Sequence, residues 1–210
     1  MSGQKQTDDP PGTLQKILDA ARHEFAERGL DGARVDRIAE RAGVNKAMIY
    51  YHFKSKDELY FEVIRTFFGH VAGGVKETVD PSTGLEKVLA GIAEVYARHM
   101  KEVASMRPIM LRELANPHPE IIDEIRDMLV ASGLPMVILE KLTEGQADGT
   151  VRDIDVWQAT LSFVLMNMGY LLVAPLADRV MNIENRTRFI DERKSANVDL
   201  FLYGVKVRPE

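Results

Sequence analysis

Residues 44–59 read VNKAMIYYHFKSKDEL. Two tyrosines, a histidine and three lysines crowd into a short helical stretch and the turn after it, in a chain whose formal net charge is -5. A core helix would not carry so many polar ends, and an ordinary solvated helix has no need of the aromatics. Asn45 is placed to cap a short helix whose Ile49 and Phe53 lie at i, i+4. With those two turned inward, Lys46, Ala47, Tyr50 and Tyr51 form a connected outer face at spacings of three and four. Lysine neutralises phosphate, a tyrosine hydroxyl donates to phosphate oxygens, and small Ala47 permits close approach or contact with a thymine methyl. Taken alone, the same tyrosines could equally cap a core.

Working outward, Leu14, Ile17, Leu18, Ala21 and Phe25 share one face of a first helix, with Thr13 as its N-cap and Gly29 just past its end. Val35, Ile38, Ala39 and Ala42 make a second helix that Gly43 stops. Two short helices joined by a Gly-containing turn, with Ala39, Val44 and Ile49 to pack them, make a helix-turn-helix. Ser55 and Glu58 then stand as a capping box that opens a fourth helix through Leu59, Val63, Ile64, Phe67, Phe68 and Val71. Between residues 34 and 56 six basic side chains face only Asp36 and Glu40, a local +4 that leaves -9 on the rest of a -5 chain. A positive patch on an acidic body is expected where one surface meets polyphosphate and the remainder must stay soluble.

The remaining sequence reads as helices over about 82–102, 105–115, 119–147, 154–175 and 183–204, the third broken by Gly133 and Pro135. No β alternation competes, so the fold class is all-α. Residues 156–177 carry no charge and are long enough to cross a bilayer. Gln158, Thr160, Ser162, Asn167 and Pro175 interrupt that run, while Trp157, Leu161, Val164, Leu165, Met168, Leu171 and Leu172 recur at helical spacing. This favours a helix buried in a bundle or a subunit interface, without a membrane. With Phe189, Ile190, Val198, Phe201 and Leu202 of the last helix it predicts a four-helix contact between two copies, a homodimer.

Cysteine is absent, which removes disulfides and thiolate metal sites and suits a reducing, cytoplasmic setting. The first twelve residues lack the apolar run of a signal peptide and read as a loose tail. His23, His52, His70, His99 and His118 show no metal-ligand spacing, and no nucleophile elbow, P-loop or dinucleotide fingerprint occurs. No catalytic residue, cofactor or metal is therefore expected.

The stretch TLQKILDAARHEFAERGLDGARVDRIAERAGVNKAMIYYHFKSKDELYFEVI, residues 13–64, resembles the DNA-binding region of the TetR family of bacterial transcription regulators. Phe25 with Gly29, IAERAGV at 38–44 and IYYHFKSKDEL at 49–59 carry the likeness. It implies a three-helix DNA-binding domain over 13–56 and a helical ligand-binding and dimerisation domain over 57–210. It implies a non-enzymatic regulator, most often a repressor, that binds a palindromic double-stranded operator as a dimer and releases it on meeting a small-molecule effector. By position it puts Lys46, Ala47 and Tyr50 at base edges or nearby phosphates, Tyr51, His52 and Lys56 at phosphates, and Met48 toward the groove. The family often has a hydroxyl residue near the start of the second helix. Ala33 and Arg34 stand there instead, which weakens the cap and offers Arg34 as a long-reaching phosphate or base contact. A helical ligand-binding or enzymatic bundle with a purely structural helix-turn-helix is the competing reading.

The second half interleaves methionines with aromatics, soft side chains that suit either a plain helical core or a cavity for a mostly apolar molecule. For a cavity the candidate lining is Tyr96 and His99 as polar contacts, with Met100, Met110 and Trp157 as apolar wall.

Overall fold

A computed structural model describes residues 12–207, so the tail expected over 1–12 lies outside the described residues except for Gly12. The described chain is helical in the order α1 (Thr13–Gly32), α2 (Val35–Ala42), α3 (Lys46–His52), α4 (Lys56–Thr78), α5 (Leu85–Arg98), α6 (Met100–Ala115), α7 (Pro119–Ser132), α8 (Met136–Ala147), α9 (Val156–Val180) and α10 (Arg186–Val205). The all-α expectation holds.

Local chemistry explains most of the boundaries. At the end of α2, Gly43 adopts a left-handed φ of 68°. Its N–H donates to Glu40 O and the Val44 N–H to Ala39 O, so two orphan carbonyls are satisfied in a Schellman turn. The Asn45 side chain accepts from Met48 N at 2.8 Å and opens α3. Ser55 Oγ accepts from Glu58 N at 3.0 Å, while Glu58 Oε2 accepts from Lys54 N at 2.7 Å, one residue earlier than a strict capping box.

Two expectations need correcting. Gly12, not Thr13, caps α1; Thr13 is already helical and buried. Gly29 does end the first helical stretch, as expected, with φ of 69°, and a short second stretch continues to Gly32. The helix expected over 82–102 is broken at His99, whose backbone leaves helical geometry (φ -85°, ψ 10°) and after which α6 starts. Downstream the break at Gly133 and Pro135 stands where it was expected. Helix α9, by contrast, runs past Pro175 to Val180. Proline costs the helix one N–H, and here the turn is bridged by Tyr170, whose hydroxyl donates to Asp178 Oδ1 at 2.8 Å.

Two apolar clusters organise the packing. One joins Ile17, Phe25, Ile38, Ile49 and Phe53 to Leu59, Tyr60 and Phe67 of α4 and to Met106 and Ile109 of α6. It is continuous across residues 56–57. The other joins α5, α8, α9 and α10 through Leu89, Ile92, Ile138, Phe163 and Phe201. Val71 and Tyr96 pack against both.

Helix α9 is long and apolar enough to cross a membrane, yet it packs on α6, α8 and α10 with Phe163, Asn167 and Leu171 buried. Its other side is an exposed apolar stripe of Trp157, Leu161, Leu165, Val173, Leu176 and Val180. On α10 the side chains expected at a subunit contact face inward instead: Val198, Phe201 and Leu202 are buried in the chain's own core, and Phe189 and Ile190 pack against it. The outward apolar residues there are Leu200 and Tyr203. The 3.6-residue period defines two apolar faces on such a helix and does not say which one the chain itself covers.

Because Gly43 closes the turn that sets α3 against α2, Gly43→Ala should destabilise the fold by about 1–2 kcal/mol, the cost of a left-handed non-glycine residue. A urea titration followed by circular dichroism measures it.

Candidate functional site

The α2–α3 corner projects its polar side chains while Ile49 and Phe53 anchor it from below, as their spacing predicted. Arg34, Lys46, Ala47, Tyr50 and Tyr51 are exposed. Met48, His52 and Lys56 are half-buried. Met48 packs against the core, and His52 stands edge-on to Tyr51 with ring centroids 5.2 Å apart.

Two of the cations are already engaged. Lys46 Nζ pairs with Asp36 at 2.9 Å across the turn, and that hydrogen bond raises its pKa. Lys56 Nζ donates to the carbonyls of Asp31 and Ala33, both at 3.3 Å, and so ties the start of α4 to the α1–α2 connection. Sequence reading missed a third group, Glu24. Its carboxylate is 2% exposed and accepts from Arg34 N at 3.3 Å, with Arg28 Nε at 3.4 Å. The acid thus holds the residue that precedes α2 where a capping hydroxyl is lacking. A signal existed: Glu24 continues the buried row Ile17, Ala20, Ala21 at i, i+3, i+4, i+7.

A cavity of about 420 Å³ lies between α4, α5, α6 and α9 and the α7–α8 joint. Phe67, Phe68, Val103, Leu134, Val164 and Leu171 supply much of its wall. Of the five residues expected there, Tyr96, His99, Met110 and Trp157 line it. Met100 does not, because the break at His99 directs it elsewhere, into a small depression with Asn167, Tyr170 and Arg193.

Helix α6 connects the cavity to α1 and α4, the helices that flank the corner. Met110 lines the cavity, and two residues later Arg112 Nη1 donates to the carbonyls of Phe25 and Ala26 at 3.0 and 2.9 Å, satisfying α1 where Gly29 interrupts it. The next residue, Glu113, is buried and accepts the Tyr60 hydroxyl at 2.6 Å and the His118 Nδ1–H at 3.0 Å. Tyr60 in turn stands edge-to-face on Phe25, centroids 4.9 Å apart. Burial first, then the Glu113 bond, pushes the Tyr60 phenol well above its ordinary value. The Glu113 hydrogen bond, with Glu120 and Asp31 nearby, raises His118.

Comparison with known proteins gives this geometry its context. A profile described as "Bacterial regulatory proteins, tetR family" matches residues 17–63, the span from α1 into α4. The HTH-type transcriptional repressor KstR2 of Mycolicibacterium smegmatis is 31% identical over 157 residues, which cover 70% of this chain and 72% of the repressor. The chain belongs to the TetR family of bacterial transcriptional regulators. The HTH-type transcriptional activator FasR of the same species is 36% identical over only 81 residues, 39% of this regulator and 37% of FasR. Among solved structures, the fold is similar to that of FadR from Bacillus subtilis in complex with stearoyl-CoA, with a TM-score of 0.65 at 22% identity over 90% of this chain and 98% of that one.

In this TetR-family regulator the His118–Glu113 contact makes stability depend on pH. A histidine raised in the folded state stabilises it fully below the ordinary imidazole value of about 6.5, and the contribution disappears as pH climbs through the raised value. The Tm of the wild type should therefore fall as pH rises from about 6.5 through the raised value, and His118→Gln should flatten the fall, as differential scanning fluorimetry across a pH series would record.

Proposed function

We propose that the protein is an operator-binding repressor that acts as a homodimer and is released from DNA by a small, mostly apolar effector. The observation that carries this reading is the continuous path from cavity to corner: Met110 on the cavity wall, then Arg112 and Glu113 gripping α1 and α4. A molecule that changes how α6 lies changes the carbonyls and the phenol it holds, and with them the attitude of α3. Two α3 helices must meet half-sites about one helical turn apart, or a multiple, so a small change in their separation costs both contacts at once. The long match to a repressor, against a short match to an activator, supports the sign of regulation.

In this reading Lys46, Ala47 and Tyr50 face base edges and adjoining phosphates. Arg34, Tyr51, His52 and Lys56 serve phosphates, and Met48, packed against the core, acts at the floor of the contact. Residues 13–56 form the DNA-binding unit and 57–210 the regulatory one. The exposed stripe of α9, with Leu200 and Tyr203 of α10, is the surface that a second copy covers; an apolar stripe of that length on a monomer asks for a partner.

Three measurements test the reading. Footprinting upstream of the neighbouring genes should show a roughly palindromic protected site. Lys46→Ala should weaken operator binding more than binding to random DNA, whereas Lys56→Ala should weaken both, lower the log-log salt slope by about one, and also lower Tm through its lost carbonyl contacts. Leu176→Glu, at a residue 66% exposed in the single chain, should leave the helical content intact while sedimentation shows a monomer and operator affinity falls with it. A dimer that survives Leu176→Glu moves the subunit contact elsewhere.

A further inference from the structure

Among the described residues, the cavity wall contains no Asp, Glu, Lys or Arg. Its polar side chains are Tyr96, His99, Gln158 and Thr160. His99 Nδ1 lies 2.9 Å from Val95 O; a carbonyl only accepts, so this nitrogen carries a proton and Nε2 is left as the ring's other polar atom. The ring is fixed from the other side by Gly74 of α4, where even a Cβ would come within 2.8 Å of His99 Cε1. One turn earlier on α5, the Tyr96 hydroxyl has no hydrogen-bond partner among the described residues, and burial alone raises its pKa. Across the cavity Thr160 is 2% exposed, and its Oγ1 is buried with no partner.

A buried hydroxyl left unpaired, as on Thr160, is costly, and a ligand that pairs it recovers that cost. An ionised ligand meets the opposite situation, since nothing on the wall compensates for stripping water from its charge. We infer that the cavity selects an uncharged, largely apolar molecule bearing a hydroxyl, which donates to His99 Nε2 and pairs with Tyr96 and Thr160, and that it discriminates against carboxylates and phosphate-bearing thioesters of the same chain length. This rests on the reading of the cavity as the effector site and narrows it to one ligand chemistry.

The test uses the full-length protein and its single tryptophan, Trp157, which lines the cavity and reports occupancy without DNA. Decan-1-ol, its methyl ether, decanoate and decanoyl-CoA are titrated against Trp157 fluorescence at neutral pH, with operator binding followed in parallel. The alcohol should give a saturable change, with decanoate and decanoyl-CoA at least about tenfold weaker for lack of a countercharge. The ether, which accepts but cannot donate to His99, should be weaker by about three- to tenfold, the worth of one hydrogen bond. Tyr96→Phe and Thr160→Val, which keep the shape of the wall, should each reduce alcohol affinity by a similar factor. Decanoate or decanoyl-CoA binding as tightly as the alcohol overturns the inference, as does an alcohol that fails to saturate, or one that binds both variants as well as the wild type. An alcohol that binds as expected but leaves the operator complex intact supports this ligand chemistry and removes the effector role. A preference for decanoate that releases DNA does the reverse.

Discussion

Arg112 and Glu113, adjacent at the end of α6, hold the small N-terminal helices to the rest of the molecule. The guanidinium supplies donors to carbonyls of the α1 turn that precedes Gly29, and the carboxylate accepts the Tyr60 hydroxyl in an otherwise apolar cluster. Neither group is replaceable by a hydrophobic one of the same size without leaving its partners unpaired in the interior, where an unmade hydrogen bond costs more than a made one returns. The geometry of the helix-turn-helix is therefore referred to α6, and α6 is referred to the cavity it borders.

This arrangement also explains why the apolar cluster of the N-terminal helices does not close on itself. Phe25, Ile38, Ile49 and Phe53 are too few to bury a core of their own, and Phe67, Met106 and Ile109 complete it. A three-helix corner stabilised by its own residues would be indifferent to the larger body. One that borrows its core from α4 and α6 is stable only in register with them, which is the physical requirement for a distant ligand to matter.

Much of the fold was legible because it follows local rules. Gly43, Asn45 and Ser55 punctuate the helices by capping chemistry, and Ile49 with Phe53 gave the inward face of α3. Breaks without a glycine or proline at hand were not legible: His99 leaves helical geometry because its ring is wedged between the Val95 carbonyl and Gly74, a tertiary circumstance. That break placed Met100 outside the cavity while its neighbours line it. The inward and outward faces of α10 were exchanged for a similar reason, since periodicity identifies stripes and not their partners. Glu24 shows the converse, a charged residue whose place in an apolar row was visible in the sequence.

The pairing of Lys46 with Asp36 has its own consequence. If Lys46 meets DNA as proposed, the carboxylate holds in the free protein the ammonium that a phosphate oxygen or an electronegative base edge would take, so binding exchanges one ion pair for another. An incoming strand that aligns loosely gains one attraction only by breaking another and by bringing Asp36 close to its own charge. A strand that also satisfies its other contacts can bear that exchange. On the proposed role of Lys46, the acidic residue would act as a built-in competitor that a well-fitted site displaces more readily than indiscriminate DNA does.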